Sequence, residues 1–191
     1  MIAQGSRTKT GRRLNHVEFV HRPGEVDLVI DLFEALGCSC SLTDGATFGR
    51  YVVVDLDGSR HGVNDIFVSQ AEPEQLALED ALRDRFASGD PELVALSGRF
   101  RALEKERPYR ATHVGLRVPN VSDLDQVVAR LQALCAGKLA GRLDLGRPIT
   151  RTAEESEATM APMKQIWIWT DVISTGLLAI GQQFELQAYG E

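Results

Sequence analysis

The chain has 191 residues, 43% of them hydrophobic and 25% charged, a globular composition with apolar material for one large or two small cores. A formal net charge of −6 and a pI near 5.3 exclude an electrostatic role on nucleic acid or anionic lipid, since both demand a basic face. No apolar run approaches the roughly 18 residues of a membrane span, and no signal-like apolar stretch stands near the start, so a cytoplasmic location without membrane insertion is expected.

Residues 1–12 are polar and carry the basic cluster Arg7, Lys9 and Arg12, continued by Arg13; they read as a mobile, solvated arm. A first module spans residues 13–71. Its opening strand, residues 14–20, places Leu14, His16, Glu18 and Val20 on one face and Val17 and Phe19 on the other. A helix over residues 24–36 follows and stops at Gly37. Three strands come next, residues 38–43, 50–56 and 65–70, separated by DGATFG and DGSRHG turns of the kind that close hairpins. Cys38, Cys40 and the later Cys135 are odd in number and form no CxxC pair, which suits reduced structural thiols. His21 and His61 fall in turn-like sequence and are expected to be exposed.

Residues 72–110 switch to helical periodicity, with Leu76, Leu78, Leu82 and Phe86 before a break at SGDP and Leu93, Leu96, Phe100 and Leu103 after it; this is a helical linker. The second module, residues 111–191, opens with a strand at 112–118 and a helix at 122–136, for which Ser122 is the expected N-cap. Strands at 139–145, 164–173 and 181–189 complete it. Between the last two of its inner strands, residues 146–162 are polar and include Glu154, Glu155 and Glu157. Such a segment cannot order itself by burial, so it is expected to be mobile and to close over a site as a lid.

The two modules share one design. Each opens with a short strand carrying a histidine near its start, His16 in HVEFV and His113 in HVGLRV, followed by a proline-containing turn and an amphipathic helix. The histidines lie 97 positions apart and the helical apolar positions, such as Val29/Val127 and Phe33/Leu131, lie 98 apart. Helix faces and histidines thus keep register across one extra turn residue. The expected fold class is α+β, built from two β-α-β-β-β modules.

Two such modules, a histidine on the first strand of each, and a glutamate on the last strand of the second in GQQFELQAY resemble the vicinal oxygen chelate superfamily, which includes glyoxalases, methylmalonyl-CoA epimerases, extradiol dioxygenases and bleomycin-resistance proteins. The resemblance covers residues 14–70 and 111–189 and leaves the arm and the linker unmatched. It implies that the modules pair into a cup-shaped mixed sheet with helices outside, and that His16, His113 and Glu185 ligate a divalent metal ion, Fe, Mn, Ni or Zn. The chemistry agrees, because two imidazoles and a carboxylate form a facial triad with open positions for a substrate bearing two adjacent oxygens.

A fourth ligand position, found by aligning FVSQA with FELQA, falls on Val68, which cannot ligate; Gln70 lies two residues on, on the same face, and is the candidate replacement. Glu18, one pleat beyond His16, is either a general base or a carboxylate at the rim of the cup. Arg117 pairs either with a substrate anion or with Glu18. Trp167 and Trp169 share a face and line an aromatic pocket or belong to the core, while Gln187 below Glu185 and Tyr189 at the rim complete the substrate-binding candidates. The leading function is a metal-dependent enzyme with dioxygenase or lyase/isomerase chemistry on a small-molecule substrate, in a chain that forms a homodimer. The alternative is a metal-free binding protein of the bleomycin-resistance type. Bound metal distinguishes the two, as does a cleft lined by Trp167 and Trp169.

Overall fold

The structure, a computed structural model, describes residues 14–46, 49–56, 58, 64–155 and 162–190. The first module consists of β1 (His16–His21), α1 (Val26–Ala35), β2 (Ser39–Gly45), β3 (Gly49–Asp55) and β4 (Asp65–Gln70). The linker holds α2 (Pro73–Ala87), α3 (Pro91–Glu106) and a 3-10 turn, Pro108–Arg110. The second module holds β5 (His113–Arg117), α4 (Val121–Ala136), β6 (Leu143–Leu145), β7 (Ile149–Arg151), β8 (Met163–Thr170), β9 (Ile173–Ser174) and β10 (Gln182–Tyr189). The expected arm, His61 and Glu157 lie outside the described residues.

The fold is α+β, with two mixed five-stranded sheets whose strand orders repeat. β4 runs parallel to β1 in the first sheet, ordered β2-β3-β4-β1, and β10 runs parallel to β5 in the second, ordered β6-β8-β10-β5. β9 leaves the second module and pairs antiparallel with β1, Val20 opposite Ser174, so the end of the chain is stitched onto the first sheet. No described helix is long and apolar enough to cross a membrane.

Both modules bury the helix face that the periodicity identifies. α1 presents Val29, Leu32 and Phe33, and α4 presents Leu124, Val127 and Leu131, to one continuous core. Phe19 of β1 stacks on Phe184 of β10 at 5.6 Å between ring centres, and Phe33 meets Phe184 edge to face at 6.4 Å. These three rings are fully buried, and each contributes on the order of 2 kcal/mol, so the modules share one core rather than folding apart. α1 ends as Gly37 requires: with φ at 90°, the Gly37 N–H reaches the Glu34 carbonyl and the Cys38 N–H the Phe33 carbonyl.

Several boundaries differ from expectation. The N-cap of α4 is Asn120, whose side-chain oxygen accepts from the Asp123 N–H at 2.9 Å, not Ser122, which lies inside the first turn. Only residues 143–145 of the expected strand at 139–145 are extended, because a run of turn hydrogen bonds, from Ala140 to Gly137 and from Arg142 and Leu143 to Leu139, occupies the rest. The strand expected at 164–173 breaks where the Thr170 hydroxyl accepts from the Val172 N–H, sending β9 to the other sheet. The segment expected as a free loop contains β7, paired with β8 through Ile149 opposite Gln165. His21 is not exposed; it is 3% accessible, held in a strand between β4 and β9, with Nδ1–H donating to the Arg22 carbonyl at 2.7 Å.

The linker is attached by polar anchors. Leu78, Leu96, Phe100 and Leu103 are exposed, whereas Glu79 is fully buried. The Glu79 carboxylate accepts from the Leu178 N–H at 2.6 Å and the Ala179 N–H at 2.7 Å, and Gln75 donates to the Gly176 carbonyl at 2.9 Å. α2 is thus fixed to the loop before β10, and α3 is laid across the open face of the second sheet.

Candidate functional site

The open face of each sheet, opposite its helix, carries the polar candidates. In the second sheet, His113 pairs with Gln183, Gly115 with Glu185, and Glu185 with Trp167. His113 Nδ1–H donates to the Ala111 carbonyl at 2.9 Å, which fixes the ring and turns Nε2 toward Glu185 Oε2 at 3.6 Å. The Trp167 ring meets the His113 ring edge to face at 4.6 Å, and Glu185 is nearly buried. A carboxylate this shielded needs a positive or hydrogen-donating neighbour, and the His113 imidazole is the side chain that stands beside it.

The first sheet does not repeat this pair. His16 pairs with Asp65 and Glu18 with Phe67, so Phe67, not Val68, occupies the position that corresponds to Glu185. Val68 faces the core, and Gln70 shares that face, directed away from the open side; the FVSQA/FELQA alignment is one residue out of register, which exchanges the faces. His16 stacks on Phe67 at 4.8 Å, and Glu18 accepts from the Ser69 hydroxyl at 2.5 Å. Among the described residues no three His, Cys, Asp or Glu side chains gather closely enough to hold one ion. The structure therefore joins His113 to Glu185 and leaves His16 outside the pair, and this donor set does not fit the expected three-ligand metal site.

The remaining candidates sort by place. Arg117 lies over the Tyr189 ring at 4.8 Å, and the Tyr189 hydroxyl donates to Gln187 at 2.8 Å, so these three hold one another along the face beyond Glu185. Arg117 does not pair with Glu18, whose partner is Ser69. Trp169 has the Arg101 guanidinium 3.5 Å over its ring, the Gly181 backbone against its indole, and its Nε1–H on the Ile180 carbonyl at 3.1 Å. Its ring surface is taken by the linker and the last loop.

No family model matches the sequence, and no curated protein does. A search of solved structures finds distant likenesses that span most of the chain. A glyoxalase family protein from Bacillus cereus is 13% identical over 98% of this chain and 100% of its own, with a TM-score of 0.47. UcmS2 is 15% identical over 93% of this chain and 98% of its own, with a TM-score of 0.45. Methylmalonyl-CoA epimerase from Mycobacterium tuberculosis is 14% identical over 100% of this chain and 94% of its own, with a TM-score of 0.25. At these identities and scores the likenesses establish neither family nor chemistry.

A feature the sequence did not disclose is a cleft of about 510 Å³ between α3, the 3-10 turn and the outer strands of the second sheet. Trp167 and Trp169 line it from β8, Tyr109 and Lys105 from the linker, and Ile149 and Arg151 from β7. Trp167 contacts both the cleft and His113, whereas neither His113 nor Glu185 lines the cleft. Its cations differ in state. Arg101 is paired with Glu104 at 2.8 Å and Lys105 with Asp144 at 2.5 Å, whereas Arg147 and Arg151 have no carboxylate partner among the described residues. The linker reads as a connection in the sequence because its apolar residues suggest simple helix packing; only the cation Arg101, placed to meet Trp169, hints that it roofs a site.

Proposed function

We propose that the chain binds a small, flat organic molecule in the cleft beneath its linker, the metal-free reading of the two set out from the sequence. The observation that carries this is a cleft of about 510 Å³ with an aromatic wall at Trp167 and Tyr109 and a rim of charged side chains from the linker and the strands below it. The volume falls in the range of small-molecule sites, about 300 to 1,000 Å³, and the charged rim supplies more orienting groups than most such sites carry. Binding follows from burial of the ligand's ring on Trp167, with direction set by the charged rim.

Titration of the full chain with a panel of neutral and charged bicyclic aromatics, read by tryptophan fluorescence and calorimetry, tests this. At least one binder should appear with a dissociation constant below about 100 μM, and Trp167→Ala should weaken it at least about tenfold. No binder, or a binder indifferent to Trp167, overturns the reading.

The metal-dependent reading keeps one specific support: His113 presents a fixed imidazole Nε2 beside the Glu185 carboxylate. Two donors hold an ion only with water or substrate completing its coordination. Elemental analysis after purification without added metal decides it, with about one divalent ion per chain, lost in His113→Ala, as the supporting result.

A further inference from the structure

We infer that the cleft selects an aromatic acid carrying a hydrogen-bond donor on its ring, with Gln183 accepting from the donor and Arg147 and Arg151 taking the acid. This rests on the small-molecule reading above and adds the ligand's chemistry.

Gln183 is the second residue of β10, lines the cleft and is 5% accessible. Its Nε2 donates to the Glu104 carbonyl of α3 at 3.2 Å. That bond settles the orientation of the amide, because a carbonyl only accepts, so Oε1 is the free end. Oε1 is shut away from solvent and has no hydrogen-bond partner among the described residues. A buried acceptor left this way costs about 1–3 kcal/mol, and a shift of the Gln183 amide toward the cleft it lines would let a ligand N–H or O–H meet Oε1 and remove that cost. The group therefore favours a donor-bearing ligand over its bare analogue by more than an exposed hydrogen bond would.

The acid end follows from charge. Of the cations at the cleft, Arg101 and Lys105 are neutralised by Glu104 and Asp144, whereas Arg147 and Arg151, bracketing Ile149 at the start of β7, have no such partner among the described residues. A guanidinium binds a carboxylate through two parallel N–H···O bonds, so Arg151 on β7 and Arg147 two residues before it suit a carboxylate or a phosphate on a flat ring. Trp167 supplies the stacking surface between the two ends.

Three probes separate the contributions: 6-hydroxy-2-naphthoate has donor and acid, 2-naphthoate the acid alone, and 2-naphthol the donor alone. The wild-type chain should prefer the hydroxy acid to 2-naphthoate by about tenfold. Gln183→Leu should reduce that preference to within about twofold. It removes the unsatisfied acceptor but also the bond to the Glu104 carbonyl, and Gln183→Met, of similar length and without the acceptor, should give the same loss of preference, with the melting temperature of each variant read alongside. The double variant Arg147→Ala, Arg151→Ala should weaken both acids about tenfold and leave 2-naphthol unchanged. Equal binding of the two acids by the wild type, or a preference that survives Gln183→Leu, overturns the assignment of Gln183. Acids indifferent to the arginine variant overturn the anion site. If none of the three binds, the inference fails; the wider aromatic panel with Trp167→Ala then shows separately whether the cleft binds flat molecules at all.

Discussion

Phe67 in the first sheet stands where Glu185 stands in the second: Phe67 pairs with Glu18 and Glu185 with Gly115, each two residues past the histidine of its neighbouring strand. Between the modules the carboxylate has moved one strand, from β10 to β1, and the position it leaves holds an aromatic ring stacked on His16. This is why a repeated histidine does not give a repeated His–Glu pair.

The register makes a prediction. Val68 is 0% accessible in the core, whereas Phe67 is half-buried on the open face. Val68→Glu should unfold the chain or cost more than about 4 kcal/mol, since it buries an unpaired carboxylate. Phe67→Glu should cost only about 1–2 kcal/mol for the lost ring contacts. Thermal unfolding followed by circular dichroism ranks the two, and the opposite order would restore the FVSQA/FELQA alignment.

Gly181 reports on the linker roof. Its φ is +84°, and a Cβ there would lie 2.5 Å from the Trp169 indole. Gly181→Ala should therefore cost about 2–4 kcal/mol and displace the ring from beneath Arg101, with a red shift of tryptophan emission. Arg101→Ala removes the cation over the ring and also the partner of the nearly buried Glu104 carboxylate, and should cost about 2–4 kcal/mol. An unshifted spectrum in Gly181→Ala would mean that Trp169 is not held this way.

What the sequence revealed is what periodicity encodes. The paired apolar positions Val29/Val127 and Phe33/Leu131, the Gly37 stop and the eight expected strands are local patterns, and each has its counterpart in the structure, in whole or in part. The His113–Glu185 pair was legible because both residues sit on the open face of adjacent strands. Convergence of His16 was not, because it depends on how two sheets are set together. Gln70 was misplaced because a slip of one residue in a strand reverses every side chain. The cleft was hidden because its roof comes from the linker, whose anchoring groups, Glu79 and Gln75, bond to backbone about 100 residues away.

The cysteines give a pH-dependent outcome. Burial first, then the neighbouring Cys40 and Asp55, pushes the Cys38 thiol up to about 12, and burial first, then Glu34, pushes Cys40 up to about 11. Folding thus favours the neutral thiols. Their contribution is fully present below the ordinary thiol value of 9.0 and is lost as pH rises through about 11 to 12. Alkylation of Cys38 and Cys40 should be slow in the folded chain near neutral pH and fast in denaturant, as peptide mass spectrometry would read. Equal rates in the two states would mean that burial does not suppress these thiolates.

Glu79 carries the last prediction because it holds the linker to the second module. Both carboxylate oxygens accept from backbone N–H groups, at Leu178 and Ala179, in a site with no solvent access. Glu79→Ala leaves two buried donors unpaired and should cost about 2–4 kcal/mol in urea unfolding. Glu79→Gln retains one acceptor oxygen but sets an amide N–H against the second backbone N–H, so it should recover less than half of that loss. Because α2 would be released while both sheets keep their core, protease cleavage in the linker should rise in Glu79→Ala before global unfolding. A variant with wild-type stability and wild-type linker cleavage would show that the carboxylate is not the anchor, and that α3 keeps its place over the second sheet through Arg101, Lys105 and the bond from Gln183 to the Glu104 carbonyl.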